Sequence, residues 1–183
     1  DGIPFMTVHR HSMTGFMTGF NTIDRLVGFV QGDDQGRHMN MTPEDRAKRS
    51  AEMMWAGDAA SKWLGMSLDS VGPGTAELSF VVQSHHLNGH RICHGGFIFT
   101  LADSAFAFAC NSYNQLTVAQ ENSITFLSPG QNGERLVAHA TESARNGRSG
   151  VYDVTVRGED GRKVALFRGL SRTIKGQHFE ETT

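Results

Sequence analysis

Cysteine is scarce in this chain: Cys93 and Cys110 are the two in 183 residues. Two thiols make no disulfide framework, so the fold is not one of the small stapled scaffolds of secreted proteins. Charge of one sign is lacking too. Seventeen Lys and Arg stand against nineteen Asp and Glu, a formal net charge of −2. That balance leaves no broad electrostatic footprint for nucleic acid or an anionic membrane. An apolar run long enough to cross a bilayer is also missing. The aromatic-rich run near residue 100 is shorter than a bilayer span needs and contains Asp103. No signal-peptide pattern opens the chain, and a cytoplasmic protein is expected.

What is present suffices for one domain of ordinary size, with 38% apolar residues to fill a core. Residues 1–41 stand apart. They hold many Gly, His and Met and run into Gly36-Arg37-His38-Met39, so a tag-derived or disordered arm is expected there. Within it Phe20, Ile23, Leu26, Val27 and Val30 fall at helical spacing and predict a short amphipathic helix.

Thr42-Pro43-Glu44-Asp45 reads as a helix start: a capping hydroxyl, a proline at the first helical position and two acids at the positive end. The helix is expected to run to Leu64 and stop at Gly65. A turn at Val71-Gly72-Pro73-Gly74 leads into an alternating strand, Thr75–Val82. Gln83–His94 is polar and reads as a loop. From Gly96 to about Asn114 the residues are apolar on nearly every side, the mark of a helix buried all round. Period two then returns, with strands expected near Val118–Phe126, Leu136–Ser143, Gly150–Arg157 and Val164–Ile174. Asn146-Gly147 and Glu159-Asp160-Gly161 read as hairpin turns. One buried helix on an antiparallel sheet of about five strands is an α+β layout.

Asp103 is the chemically loud residue. Between Gly95 and Gln120 nothing else is charged at neutral pH. An unpaired carboxylate in the wall of a core is costly, which marks Asp103 as a candidate catalytic group. Gly95-Gly96 opens the same helix. Unpaired N–H groups in a first helical turn, with no side chain in the way, make an oxyanion site able to polarise a carbonyl. His94 and Asn88 lie just upstream, placed to orient the carbonyl or a water. Phe97 adds apolar surface for a substrate. Asp103 follows Gly96 by seven residues, so it lies roughly 10 Å along the helix. One carbonyl cannot meet both groups in one chain. If both act on it, the carboxylate comes from a second subunit across a two-fold interface.

His86-Leu-Asn-Gly-His90, the run Cys93-His-Gly-Gly-Phe-Ile-Phe-Thr-Leu-Ala-Asp-Ser through Cys110-Asn-Ser112, and Gly150-Val-Tyr-Asp153 resemble the hotdog-fold acyl-CoA thioesterases, in particular those of phenylacetate degradation. The resemblance spans about residues 44–175. It implies a hotdog fold, a long central helix wrapped by a curved antiparallel sheet, paired as homodimers and commonly homotetramers. It also implies hydrolysis of phenylacetyl-CoA or its ring-hydroxylated relatives. By the same resemblance Asp103 is the general base or the nucleophile, Gly95 donates its N–H to the thioester oxygen, and Asn88 and His94 complete the site. Gly96 and Phe97 are expected at the substrate, and Arg145 and Arg148, two cations on one turn, are candidates for the CoA phosphates.

No metal and no cofactor beyond substrate CoA is expected, because a thioester is already activated. His85, His86, His90, Cys93 and His94 count like metal ligands. However, Asn88-Gly89 breaks any helix that would align them, and no paired zinc spacing occurs. His85, His86 and His90 read as solvated loop residues. Cys110 reads as inert packing, and Cys93 as a weaker nucleophile candidate than Asp103. Two other readings remain: an acyl-CoA-binding hotdog protein without catalysis, and a hydroxyacyl-CoA dehydratase. The first leaves Asp103 without a purpose, and the second favours a His–Asp or His–Glu pair.

Overall fold

Thr42 starts the first helix as its sequence predicts. Its hydroxyl accepts from the Asp45 N–H at 3.1 Å, and Pro43 takes the first helical position. The structure, a computed structural model, describes residues 41–181. The N-terminal arm and its short amphipathic helix lie outside the described residues.

Helix α1 spans Pro43–Gly57. It does not run on to Leu64. Asp58 leaves helical geometry, and its carboxylate caps a second short helix, α2, Ala59–Trp63, by accepting from the Ser61 N–H at 2.9 Å. An acid two residues past Ala56 favours a new N-cap over a continued helix, because it satisfies a first-turn donor. Strand β1, Ser67–Gly72, follows and turns directly into β2, Thr75–Val81. β1 makes the sheet six-stranded where about five strands are expected. Its core contribution is slight, with Leu68 and Val71 as its only apolar side chains, so no period-two signal announces it.

After a single 3-10 turn, Ser84–His86, the central helix α3 occupies Gly95–Cys110. The remaining strands are β3, Thr117–Phe126, β4, Arg135–Asn146, β5, Ser149–Arg157, and β6, Lys163–Thr173. All pairings are antiparallel and the order is β1-β2-β4-β5-β6-β3. Helix α3 lies against one face of this sheet and touches every strand.

The inward face alternates as a half-buried sheet should: Ala76, Leu78 and Phe80 on β2, Leu136, Ala138 and Ala140 on β4, and Tyr152, Val154 and Val156 on β5. Small residues on β4 leave room for the large ones of α3. Phe106 packs between Tyr152 and Phe167, ring centroids 5.5 and 5.9 Å away. A β-carbon on Gly169 of β6 would come within 2.9 Å of the Phe106 ring, so glycine there is what lets the helix sit down on the sheet. The C-terminal tail returns to α1. Asn114, just beyond α3, holds Phe179 through both halves of its amide, and Glu181 pairs with Arg46.

The helix is not buried all round. Phe99, Thr100, Asp103, Ser104 and Ala107 are only half-buried, and their spacing of three and four puts them on one side. That side borders β3, one of the two edge strands of the sheet, which pairs only with β6 among the described residues.

Candidate active site

The four first-turn N–H groups of α3 have distinct fates. His94 is the N-cap: its Nδ1 accepts from Gly96 N–H at 2.9 Å, and its carbonyl accepts from Phe97 at 2.9 Å and Ile98 at 3.4 Å. Gly95 N–H alone has no acceptor among the described residues. A backbone N–H can only donate, so in this arrangement Nδ1 carries the lone pair and the ring proton sits on Nε2. His94 therefore spends one nitrogen on the helix, and its Nε2 is the half that can meet a ligand.

Gly95 lines a cleft of about 400 Å³ together with Asn88, Ile92, Cys93, Ile98 and the segment Phe126–Pro129. Asn88 is fixed within its loop, its Oδ1 accepting from His90 N–H at 2.9 Å and from Ile92 N–H at 3.4 Å. A bridge between Leu87 and Cys93 and the bond from His94 N–H to His86 carbonyl, 2.8 Å, close that loop onto the start of α3. Asn88, His94 and Gly95 are thus brought together. Gly96 follows on the exposed side of the same turn, and Phe97 packs on His86, ring centroids 4.9 Å apart.

His86 corrects the sequence expectation of a solvated loop residue. It is 1% exposed, lies edge-on to Phe80 at 5.0 Å, and accepts from Gln83 N–H through Nδ1 at 3.0 Å. Burial first, and His85 beside it second, hold its pKa below the usual imidazole value. His85 and His90 are exposed as expected. Among the described residues no group of three His, Cys, Asp or Glu side chains is arranged to hold a metal.

Asp103 is half-buried two turns further along α3. It is not in the cleft. Eight residues separate it from Gly95, about 12 Å of helix rise. Its one side-chain partner among the described residues is Asn122 of β3, whose Nδ2 donates to Asp103 Oδ1 at 2.7 Å. Burial pushes the carboxyl above the usual Asp range, and the Asn122 bond opposes this. Sequence reasoning did not mark Asn122, which is one polar residue in a strand with several. Phe126 was also unmarked as a site residue, and its ring stands over Gly95 at the cleft mouth.

The chain does not bring Arg145 and Arg148 to this cleft. Arg145 lies 3.8 Å over the ring of Tyr113, just past the end of α3. Arg148 donates to the Thr173 carbonyl at 2.8 Å, and Thr173 pairs with Thr117, whose N–H bonds to the α3 C-cap Asn111. Both cations therefore sit at the opposite end of a helix about 24 Å long. The two thiols are poor nucleophiles. Burial pushes Cys93 up to about 11 and Cys110 up to about 12.

Comparison with known proteins places this geometry. Residues 90–165 match the Thioesterase superfamily. The acyl-coenzyme A thioesterase PaaI of Escherichia coli is 42% identical over 131 residues, 72% of this chain and 94% of that protein. The solved structure of E. coli PaaI, from the phenylacetic acid degradation operon, superposes with a TM-score of 0.73 at 40% identity and covers 74% of this chain and 99% of that one. A variant of the phenylacetic acid degradation protein PaaI of Thermus thermophilus gives a TM-score of 0.62 at 36% identity, over 64% of this chain and all of that one. A Streptococcus mutans protein solved with acetyl CoA gives 0.59 at 25% identity, over 61% and 90%. The six-stranded antiparallel sheet with its central helix is therefore a hotdog thioesterase fold, and the chain belongs to the Thioesterase superfamily.

Proposed function

We propose that this protein hydrolyses the thioester of an aromatic acyl-CoA, phenylacetyl-CoA or a ring-hydroxylated relative, to the free acid and CoA. The observation that carries the reading is the Gly95 N–H without an acceptor at the mouth of a cleft, with the carboxylate of Asp103 on the same helix. The thioester oxygen accepts from Gly95 N–H, where the positive end of the α3 dipole adds to the polarisation. Asn88 and His94 line the approach and fix the acyl group. The similarity to E. coli PaaI supports the aromatic acyl group, and the acetyl-CoA complex of the S. mutans relative supports a CoA-sized ligand.

The carboxylate that meets this carbonyl is Asp103 of the partner subunit. Two observations support a two-fold dimer. Gly95 and Asp103 are about 12 Å apart along one helix. The ten-residue edge of β3 has one unpaired side, and its ends carry exposed Val118 and Phe126. Two such dimers form a homotetramer in this reading, and the cell compartment is the cytoplasm, where unpaired Cys93 and Cys110 stay reduced.

Asp103 acts by one of two balanced routes. As a base it takes a proton from water while the water oxygen bonds the acyl carbon. As a nucleophile its oxygen bonds that carbon, and water then opens the anhydride. In both the carbon–sulfur bond breaks, CoA thiolate leaves and the proton finishes on the thiol. Neither route draws on a metal or a further cofactor. Arg145 and Arg148 have no part in it within one chain.

The test is steady-state hydrolysis of phenylacetyl-CoA beside a short aliphatic acyl-CoA, followed by free thiol. Wild type is expected to prefer the aromatic ester, and Asp103→Asn to lose about 10²–10⁴-fold in kcat while remaining folded. A wild-type protein that binds acyl-CoA and hydrolyses neither ester overturns the reading.

A further inference from the structure

Asn122 occupies an inward position on an otherwise exposed strand. Along β3 only Thr117, Asn122 and Ile124 are half-buried. An apolar residue is the default at such a position, as Ile124 is two places on. The two halves of the amide are instead in very different condition. Nδ2 donates to Asp103 Oδ1 at 2.7 Å, while Oδ1 is buried with no donor among the described residues. A buried acceptor without a partner costs stability, so core packing does not explain an asparagine here. Its bond to Asp103 does.

We propose that Asn122 is the positioning residue for the catalytic carboxylate: it ties down Oδ1 of Asp103 and so presents Oδ2 to the reacting water or acyl carbon. This rests on the reading of Asp103 as the catalytic group. A carboxylate on a helix has two side-chain torsions, and a charge-assisted bond from a neighbouring strand narrows the range of both. The amide donor also favours the ionised form, against the burial that favours the acid. The other ionisable groups nearby do neither. Cys110 on the same helix is a buried, protonated thiol. Glu121 of β3 and Arg168 of β6 are exposed, and Arg168 is bound to Asp153.

The experiment compares wild type, Asn122→Leu, Asn122→Ala, Asn122→Ser and Asp103→Asn as purified full-length proteins. Each is assayed from acid to neutral pH with the acyl-CoA that wild type turns over fastest, and each is checked by thermal unfolding. Asn122→Leu and Asn122→Ala are expected to lose about 10–100-fold in kcat with KM nearly unchanged. Their acid limb moves to higher pH, because Asp103 keeps the burial and loses the bond. Asn122→Ser, which retains a donor, recovers part of both effects. If Asn122→Leu fails to fold, the Ala and Ser variants decide by the same split. Wild-type kcat and an unmoved acid limb in any folded variant lacking the donor overturn the proposal, provided Asp103→Asn is inactive. An active Asp103→Asn overturns the underlying reading instead, so the two failures are distinguishable.

Discussion

The ring of Phe126 lies directly over Gly95: a β-carbon built on that glycine would stand 3.0 Å from Phe126 Cζ. The last residue of an edge strand thus covers the first residue of the central helix, whose N–H has no acceptor among the described residues. Only glycine lets a carbonyl and the ring share that space. Gly95→Ala should leave the fold intact, since alanine suits a helix better and half-exposed Phe126 has room to yield. The displaced ring then narrows the cleft. A fall in kcat/KM of about 10–100-fold is expected, set against the 10²–10³ that loss of an oxyanion donor costs. The double variant Gly95→Ala with Phe126→Ala should regain part of that loss. A single variant as active as wild type would remove Gly95 from the site.

Subunit sharing makes a sharper prediction. In the proposed two-fold site, Asp103→Asn removes the carboxylate from one half and Gly95→Leu blocks the other half. Each alone should be inactive. Unfolded together and refolded, or co-expressed, they form mixed dimers in which one of the two sites has a wild-type Gly95 and a wild-type Asp103. Random mixing then restores about a quarter of the wild-type sites. Activity no higher than that of the separate variants, with mixed dimers confirmed by mass, would place both groups in one chain and contradict the two-fold site.

Cys93 lines the cleft next to Gly95 and sits beside His94 in sequence, which makes it the obvious rival nucleophile. Its burial argues otherwise. With a pKa near 11, about one thiol in ten thousand is ionised at pH 7. Iodoacetamide at neutral pH should leave hydrolysis essentially unchanged over the time that inactivates an exposed thiolate enzyme. Cys93→Ala should retain activity within a few-fold. Rapid inactivation protected by acyl-CoA would restore the cysteine route.

Much of this architecture is legible in the chain, for physical reasons. Thr42-Pro43 carries its own capping chemistry, while the hairpin turn falls one residue later than Asn146-Gly147: Asn146 ends β4, and the turn residues are Gly147, at φ +58°, and Arg148. The long strands alternate because one face is covered by α3. β1 escapes notice because it turns so little apolar surface inward. His86 is misread for a related reason: its immediate neighbours suggest a polar loop, whereas Phe80 on β2 and Phe97 on α3 enclose it. The candidate site divides in the same way. Gly95 and Asp103 stand out as a helix start and a lone charge in an apolar run. Asn122 does not, since nothing local distinguishes it from Gln120 or Ser123. Only the packing of β3 against α3 brings it to Asp103.

Asp103 should also weaken the fold it serves, in a pH-dependent way. Burial raises its folded-state pKa above the unfolded value, so the fold prefers the protonated acid. The stability tied to that preference is complete below the unfolded pKa, about 3.9, and is lost as pH rises through the folded value. Pairing of subunits over the half-buried side of α3 would desolvate the group further and act in the same direction. Asp103→Asn cannot ionise, so it avoids the loss. The variant should therefore be more stable than wild type at neutral pH, and the gap should close as the pH approaches the ordinary carboxylate range. Urea unfolding of both proteins, stepped from neutral pH towards pH about 4, measures this directly. A gap that stays constant with pH, or a variant less stable at neutral pH, would show that Asp103 is held by compensating contacts rather than kept at a cost. Higher stability together with lost hydrolysis would be the pattern of a residue retained for chemistry against the interest of the core.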